Sequence, residues 1–396
     1  MAKTLLNTLG TCQIDSQYLF GQGYDGASNM SGRFLGVQTQ IREVHKHKYA
    51  IYVHCAAHAL NLVVTKATEV ASIRNALGIL EKMYTFFNTP KRKTVLVDLI
   101  EASDLEVRVK SLKRVSTTRW SSKFDATADF LNIAFFVNQA FSSISTWKND
   151  AATDAILLQR AMDFEFLVSV VVANDVFTYL APLSRELQKK EIDLGNAVDL
   201  AKDVLSELRK NRGNSSYFKT LYDTVLEYAA LLNIEERKKR TVKVQTARAN
   251  PDTESIEDYF RITIFNSFVD HVIQHLESRF EAHEALFKGF SILFRDGTPE
   301  DEELLKKTAE FYEPHVDSPA VIGELRLWKA YLKRKKIKPE NALVALDHCD
   351  PEIYKNIYML LKILATLPVS TSTAERSFST LGRVKTSQRN TTGQVT

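Results

Sequence analysis

Apolar residues fall into two regimes along this chain of 396 residues. Up to about residue 125, short apolar runs alternate with amphipathic stretches. Residues 18–24 (Tyr-Leu-Phe-Gly-Gln-Gly-Tyr) predict a short strand running into a Gly-containing turn. Residues 28–44 predict a following helix, and residues 50–53 (Ala-Ile-Tyr-Val) a second strand. His54-Cys55-Ala56-Ala57-His58 then opens a helix through Val64. This strand, helix, strand, helix rhythm predicts an α/β layer.

From about residue 126 strand signals become scarce. Phe164, Leu167, Val168, Val171 and Val172 recur at helical spacing, as do Leu200, Val204, Leu205 and Leu208. The predicted helical block covers residues 126–346, with an aperiodic basic stretch near 236–254 that reads as a loop. Residues 351–367 predict an apolar helix stopped by Pro368, and a further helix carries Glu375, Phe378 and Leu381. The expected class is α+β, mostly α, in three segments: 1–125, 126–346 and 347–396. Residues 1–9 read as the middle of an amphipathic helix, so the chain is expected to be a fragment of something longer.

Composition narrows the function only a little. With 44% hydrophobic and 25% charged residues the chain has the profile of a globular protein. Its net charge of +4 gives no dominant field, so any nucleic-acid surface must be local. Cys12, Cys55 and Cys349 are scattered and odd in number, which argues against a disulfide framework. No uninterrupted apolar span is read as long enough to cross a bilayer, and no membrane or small-molecule partner is expected.

Two stretches carry candidate chemistry. Gly21 to Met30 and Ser370 to Ser379 each place one carboxylate, Asp25 and Glu375, among small and hydroxylic residues. Two acids folded together are the minimum for holding a divalent cation over a phosphodiester. Asp25 also suits a plain turn, and Glu375 a first-turn helix acid. Cys55 and His58 suit either zinc, with His54 as a third candidate, or a packed thiol and a hydrogen-bonded imidazole, which is the expectation. Lys113, Arg114 and Arg119 beside Trp120 interleave cations with an aromatic ring. That suits phosphate contact and base stacking, or equally a packed Trp. Lys91-Arg92-Lys93, residues 237–240 and residues 333–336 are basic runs of the kind found on DNA-contacting or nuclear-targeting patches, and equally on solvated faces.

Taken in order, the stretches 21–32, 54–62, 118–120, 255–260 and 360–381 resemble the hAT superfamily of DNA transposases. Within it the chain resembles the domesticated or decayed copies of the zinc-finger-MYM-like or protein-kinase-inhibitor-repressor-like kind. The resemblance implies a ribonuclease-H-like sheet interrupted by a large helical insertion, and a C-terminal segment that completes the core and dimerises. It implies nuclear localisation, and three acids holding Mg²⁺ or Mn²⁺ for attack on DNA phosphates. Asp25 matches the second acid, Glu375 the third, and Trp120 the residue stacked beside the cut. The first acid should precede Asp25 by a whole hairpin, and only Asp15 does so. Ten residues cannot hold two strands of ~5–6 residues each. The sheet is therefore expected to be incomplete, the copy truncated at both ends and non-catalytic, with no cofactor required. Homo-oligomerisation is expected and DNA binding is possible. Two alternatives stand beside this: a metal-dependent DNA transposase or nuclease, and a decayed reading frame without a selected role.

Overall fold

The computed structural model describes residues 1–116, 120–189, 194–238, 255–294 and 297–368, with Ser377, Thr380 and Leu381. Two strands, β1 (Gly21–Tyr24) and β2 (Ile51–His54), pair in parallel with Gly21 opposite Ile51 and Tyr24 opposite His54. These are the strands described, and the remaining elements are helical, so the protein is α+β and mostly α. β1 covers only the last four residues of the predicted run 18–24, whose Tyr18 ends a 3₁₀ turn instead, and β2 is offset by one residue from the predicted 50–53.

The helix expected over 28–44 is corrected. It is broken into Ser28–Ser31, a turn, Val37–Thr39 and a π-helical turn Gln40–Val44. Gly36 sits at φ −63°, ψ 151°, extended rather than helical, which ends one piece and starts the next. A Cβ on Gly36 would stand 2.4 Å from the Gly32 backbone N and O, and one on Gly32 would stand 2.4 Å from the Ser28 carbonyl oxygen. Apolar periodicity does not register such a contact.

The chain divides into two compact units. The first joins residues 1–60 to 183–202 and 278–396. Its sheet is locked to later elements by aromatic packing: the Phe20 ring meets Tyr312 edge-on at 5.9 Å and His315 at 5.1 Å. The Tyr49 hydroxyl donates to the carbonyl of Glu313. Trp328 is fully buried and donates its indole N–H to the Leu293 carbonyl at 3.0 Å. The Lys355–Thr366 helix starts under Glu324, whose carboxylate accepts the Ile357 N–H at 2.8 Å and the Asn356 amide at 2.9 Å. A carboxylate there satisfies donors that the first helical turn leaves unpaired. Beyond it, Leu367 and Pro368 lie directly on β1. A Cβ at Gly23 would stand 2.7 Å from Pro368 Cβ, and one at Gly21 2.8 Å from Pro368 Cδ.

The second unit comprises residues 61–182 and 203–277. Phe130, Phe164, Phe177, Phe218, Phe260 and Phe265 are all fully buried in it. The Phe164–Leu187 helix, though it carries Asp175 near its middle, meets the length and composition of a bilayer span, which corrects the sequence expectation. Most of its apolar window is buried inside the protein, which accounts for its high mean hydropathy. The predicted basic loop near 236–254 lies, apart from its first residues, outside the described residues.

Candidate functional site

Parallel strands gather their C-terminal ends at one edge, where ligands of open α/β sheets bind. Asp25 follows Tyr24 at that edge, and Cys55 follows His54, with the Cys55 N–H donating to the Tyr24 carbonyl at 3.1 Å. Asp25 is exposed, and its Oδ1 accepts the Ala27 N–H at 3.3 Å. That bond is the turn predicted for an Asp-Gly pair.

An aromatic row lines the same edge. Tyr24 and Tyr52 stack at 6.2 Å, Tyr52 meets His54 at 6.2 Å, and His54 stacks on His58 at 5.8 Å. Burial pushes the Tyr52 phenol up, and the negative charge of Asp25 adds to it. The Ser31 hydroxyl opposes that shift from beside Tyr52, without closing a geometrically formed hydrogen bond to it. Asp25 directly follows the last residue of β1, which puts the acid at the C-terminal end of that strand. Sequence reading missed Tyr52. The signal was the alternation in Ile51-Tyr52-Val53-His54, which buries Val53 and turns Tyr52 and His54 the other way.

Cys55 is fully buried, and its Sγ lies 3.4 Å from the His58 N–H in the first helical turn. Among the described residues no group of three His, Cys, Asp or Glu side chains stands close enough to hold a metal. For Mg²⁺ the described residues of this edge supply a single carboxylate, Asp25, and that donor set does not make a site by itself. Glu375 lies outside the described residues, and Pro368, seven positions before it, rests on β1 beside Asp25's strand.

The remaining sequence candidates sit in the second unit. The Trp120 ring is 5% exposed, with Phe177 at 6.3 Å, and its backbone N–H donates to the Asn61 side chain at 3.0 Å. In this conformation its faces are covered by protein. Lys113 lies 3.5 Å from both Asp125 and Asp129. Burial pulls the Lys113 ammonium down, but those two carboxylates together outweigh it and the net shift is upward. Arg114 faces Glu81 at 3.4 Å. Arg119 lies outside the described residues. Further exposed cations stand in the other unit: Lys333, Arg334, Lys335 and Lys336 close the Val321–Lys335 helix, where positive charge complements the helix dipole.

Residues 328–396 match the hAT family C-terminal dimerisation region. Along 96% of its length the chain is 26% identical to the 52 kDa repressor of the inhibitor of the protein kinase of Mus musculus, and likewise to that of Homo sapiens. It spans about half of those relatives, 52% of each. These matches support the resemblance to hAT-derived proteins, and the dimerisation region supports self-association. No solved structure matches the chain.

Proposed function

We propose that this chain is a transposase-derived, non-catalytic protein that dimerises through its C-terminal segment and binds DNA in the nucleus. The observation that carries the reading is the match of residues 328–396 to a dimerisation region whose described part is folded into the same unit as the sheet. Around that region Leu327 is 65% exposed, Leu343 51% and Ile353 64%, apolar surface of the kind that a second copy covers. The relatives are named as repressors, which suits a nuclear regulatory role for this chain. The exposed run 333–336 supplies positive charge for phosphates.

Light scattering at micromolar concentration is expected to give a dimer mass. Replacing Leu343 and Ile353 with Asp should shift that mass toward monomer without loss of helical circular dichroism. A wild-type chain that stays monomeric removes the dimer reading.

The non-catalytic reading draws on Asp15, the acid nearest upstream, which is occupied as the cap of a 3₁₀ turn and accepts the Gln17 N–H at 2.9 Å. Plasmid DNA is expected to bind with an affinity that falls steeply as salt rises, and to remain unnicked with Mg²⁺ or Mn²⁺. Nicking that disappears in both Asp25→Ala and Glu375→Ala would establish the transposase reading instead. Binding absent at low salt, or insensitive to salt, would remove DNA as a partner.

A further inference from the structure

Phe34 and Leu35 are the two most exposed large apolar side chains described in this protein, at 81% and 83%. Isolated exposed apolar residues are ordinary, but these two are adjacent and held in a fixed turn. The Gly36 N–H donates to the Gly32 carbonyl at 3.1 Å, and the two glycines are in backbone contact. Thr39 Oγ1 donates to the carbonyls of Gly32 and Arg33 at 3.0 Å, and the Gln40 amide to that of Leu35 at 3.2 Å. The turn's backbone is thus tied down on both sides while its tip points outward. Such preorganisation lowers the entropy lost when the tip engages a partner.

The location and the charge identify the partner. Arg33 lies with its guanidinium 5.9 Å from the Phe34 ring centroid, a cation over an aromatic face. From residue 33 to residue 48 the cations are Arg33, Arg42, Lys46 and Lys48, against the single acid Glu43. Arg33, Lys46 and Lys48 are exposed. The stretch that carries the turn is tied to β1 through Gln22, whose side-chain amide donates to the Gln38 carbonyl at 3.1 Å and the Ala50 carbonyl at 2.8 Å. The turn is thus anchored to the strand that Asp25 directly follows. The excess of positive charge around the apolar tip favours a polyanionic partner. A nucleic acid partner uses both features: phosphates take the cations, and bases take the apolar tip.

We propose that the Arg33–Phe34–Leu35 turn is a wedge that engages DNA at an unstacked base step, such as a nick. Phe34 offers a π-face to the base, Leu35 fills the opened step, and Arg33 reaches the flanking phosphate. This inference rests on the DNA-binding reading above and assigns that reading a contact.

The test uses the full chain and a nicked duplex carrying 2-aminopurine beside the nick, at low salt. Wild-type protein raises the 2-aminopurine fluorescence as the base unstacks. Phe34→Ser abolishes that rise and weakens binding roughly tenfold, in the range of single-base stacking on an aromatic residue. Phe34→Trp keeps both signals. Because the side chains are exposed, circular dichroism of each variant should match wild type. If wild type binds and Phe34→Ser binds equally with the same fluorescence, the wedge is wrong while the DNA reading stands. If wild type does not bind, both fall. If Phe34→Ser and Leu35→Ser change the particle mass and leave DNA binding untouched, the turn is a protein interface and the proposal is overturned.

Discussion

Gly23→Val is expected to lower the stability of the first unit by about 1–3 kcal/mol, the cost of forcing side-chain atoms into a filled space. The clash would be with the rigid ring of Pro368: an added Cβ meets Pro368 Cβ at 2.7 Å, Cγ at 2.8 Å and the carbonyl oxygen at 3.1 Å. Proline has no rotamer into which it can retreat, so relief requires that the chain at 367–368 lift away from β1. Thermal unfolding should therefore start lower, and limited proteolysis should cut after the Lys355–Thr366 helix sooner than in wild type. Gly10→Ala is the control. Nothing lies within 4 Å of its Cβ position, and in an exposed helix the change should be neutral or stabilising. Equal melting and equal proteolysis for Gly23→Val and wild type would show that the C-terminal segment does not rest on the strand. The same result would weaken the idea that Asp25 and Glu375 share one end of the sheet.

A pH-dependent loss of stability is expected from Asp175 in the second unit. Burial pushes its carboxyl up to about 6, although the Tyr217 hydroxyl donates to both its oxygens at 2.8 Å and 2.9 Å and pulls it down. The network continues: Tyr217 lies 3.1 Å from the Tyr179 hydroxyl, which accepts from the Asn211 amide at 3.0 Å. Burial pushes the Tyr217 phenol far up, and its neighbours Tyr179 and Asp175 add to the effect, so it stays a donor. Because the folded state holds the Asp175 proton more tightly than the unfolded chain, it carries more protons between about pH 4 and pH 6. Stability from this group is thus full below that window and falls as pH rises through it, by roughly 3 kcal/mol at most. Asp175→Asn keeps an acceptor for Tyr217 and removes the titration. Its stability relative to wild type should grow from pH 4.5 and level off above about pH 6. Tyr217→Phe, which removes the opposing donor, should move the wild-type window to higher pH. A difference between Asp175→Asn and wild type that is flat across that range would refute the assignment. Buffered chemical denaturation at a series of pH values reads both.

Legibility varied with the kind of cause. β1, β2 and the long helices followed from apolar runs and helical periodicity, because burying one face is what those patterns encode. The apolarity of Phe164–Leu187 was visible, but its length as an unbroken helix was not, since Pro182 stands inside it. The breaks near Gly32 and Gly36 escaped because their cause is backbone contact, which apolar spacing does not record. Asp25 was found through its glycine-rich surroundings, and its turn through the Asp-Gly pair. Its neighbour Tyr52 came only with the strand register. For Trp120 the sequence offered a packed ring and a stacking ring on equal terms, and the structure describes a ring covered by protein.

By itself the sequence determined the succession of elements, the mostly helical class and the resemblance to hAT-derived proteins, because each depends on residues near one another in the chain. Tertiary structure alone decided what meets what: Pro368 on Gly23, Glu324 under the helix that begins at Lys355, and Lys113 between Asp125 and Asp129. It also decided that Phe34 and Leu35 remain uncovered. The physical reason is that close packing and charge pairing depend on separations in space, and the order of residues constrains those only after the chain has closed its long loops.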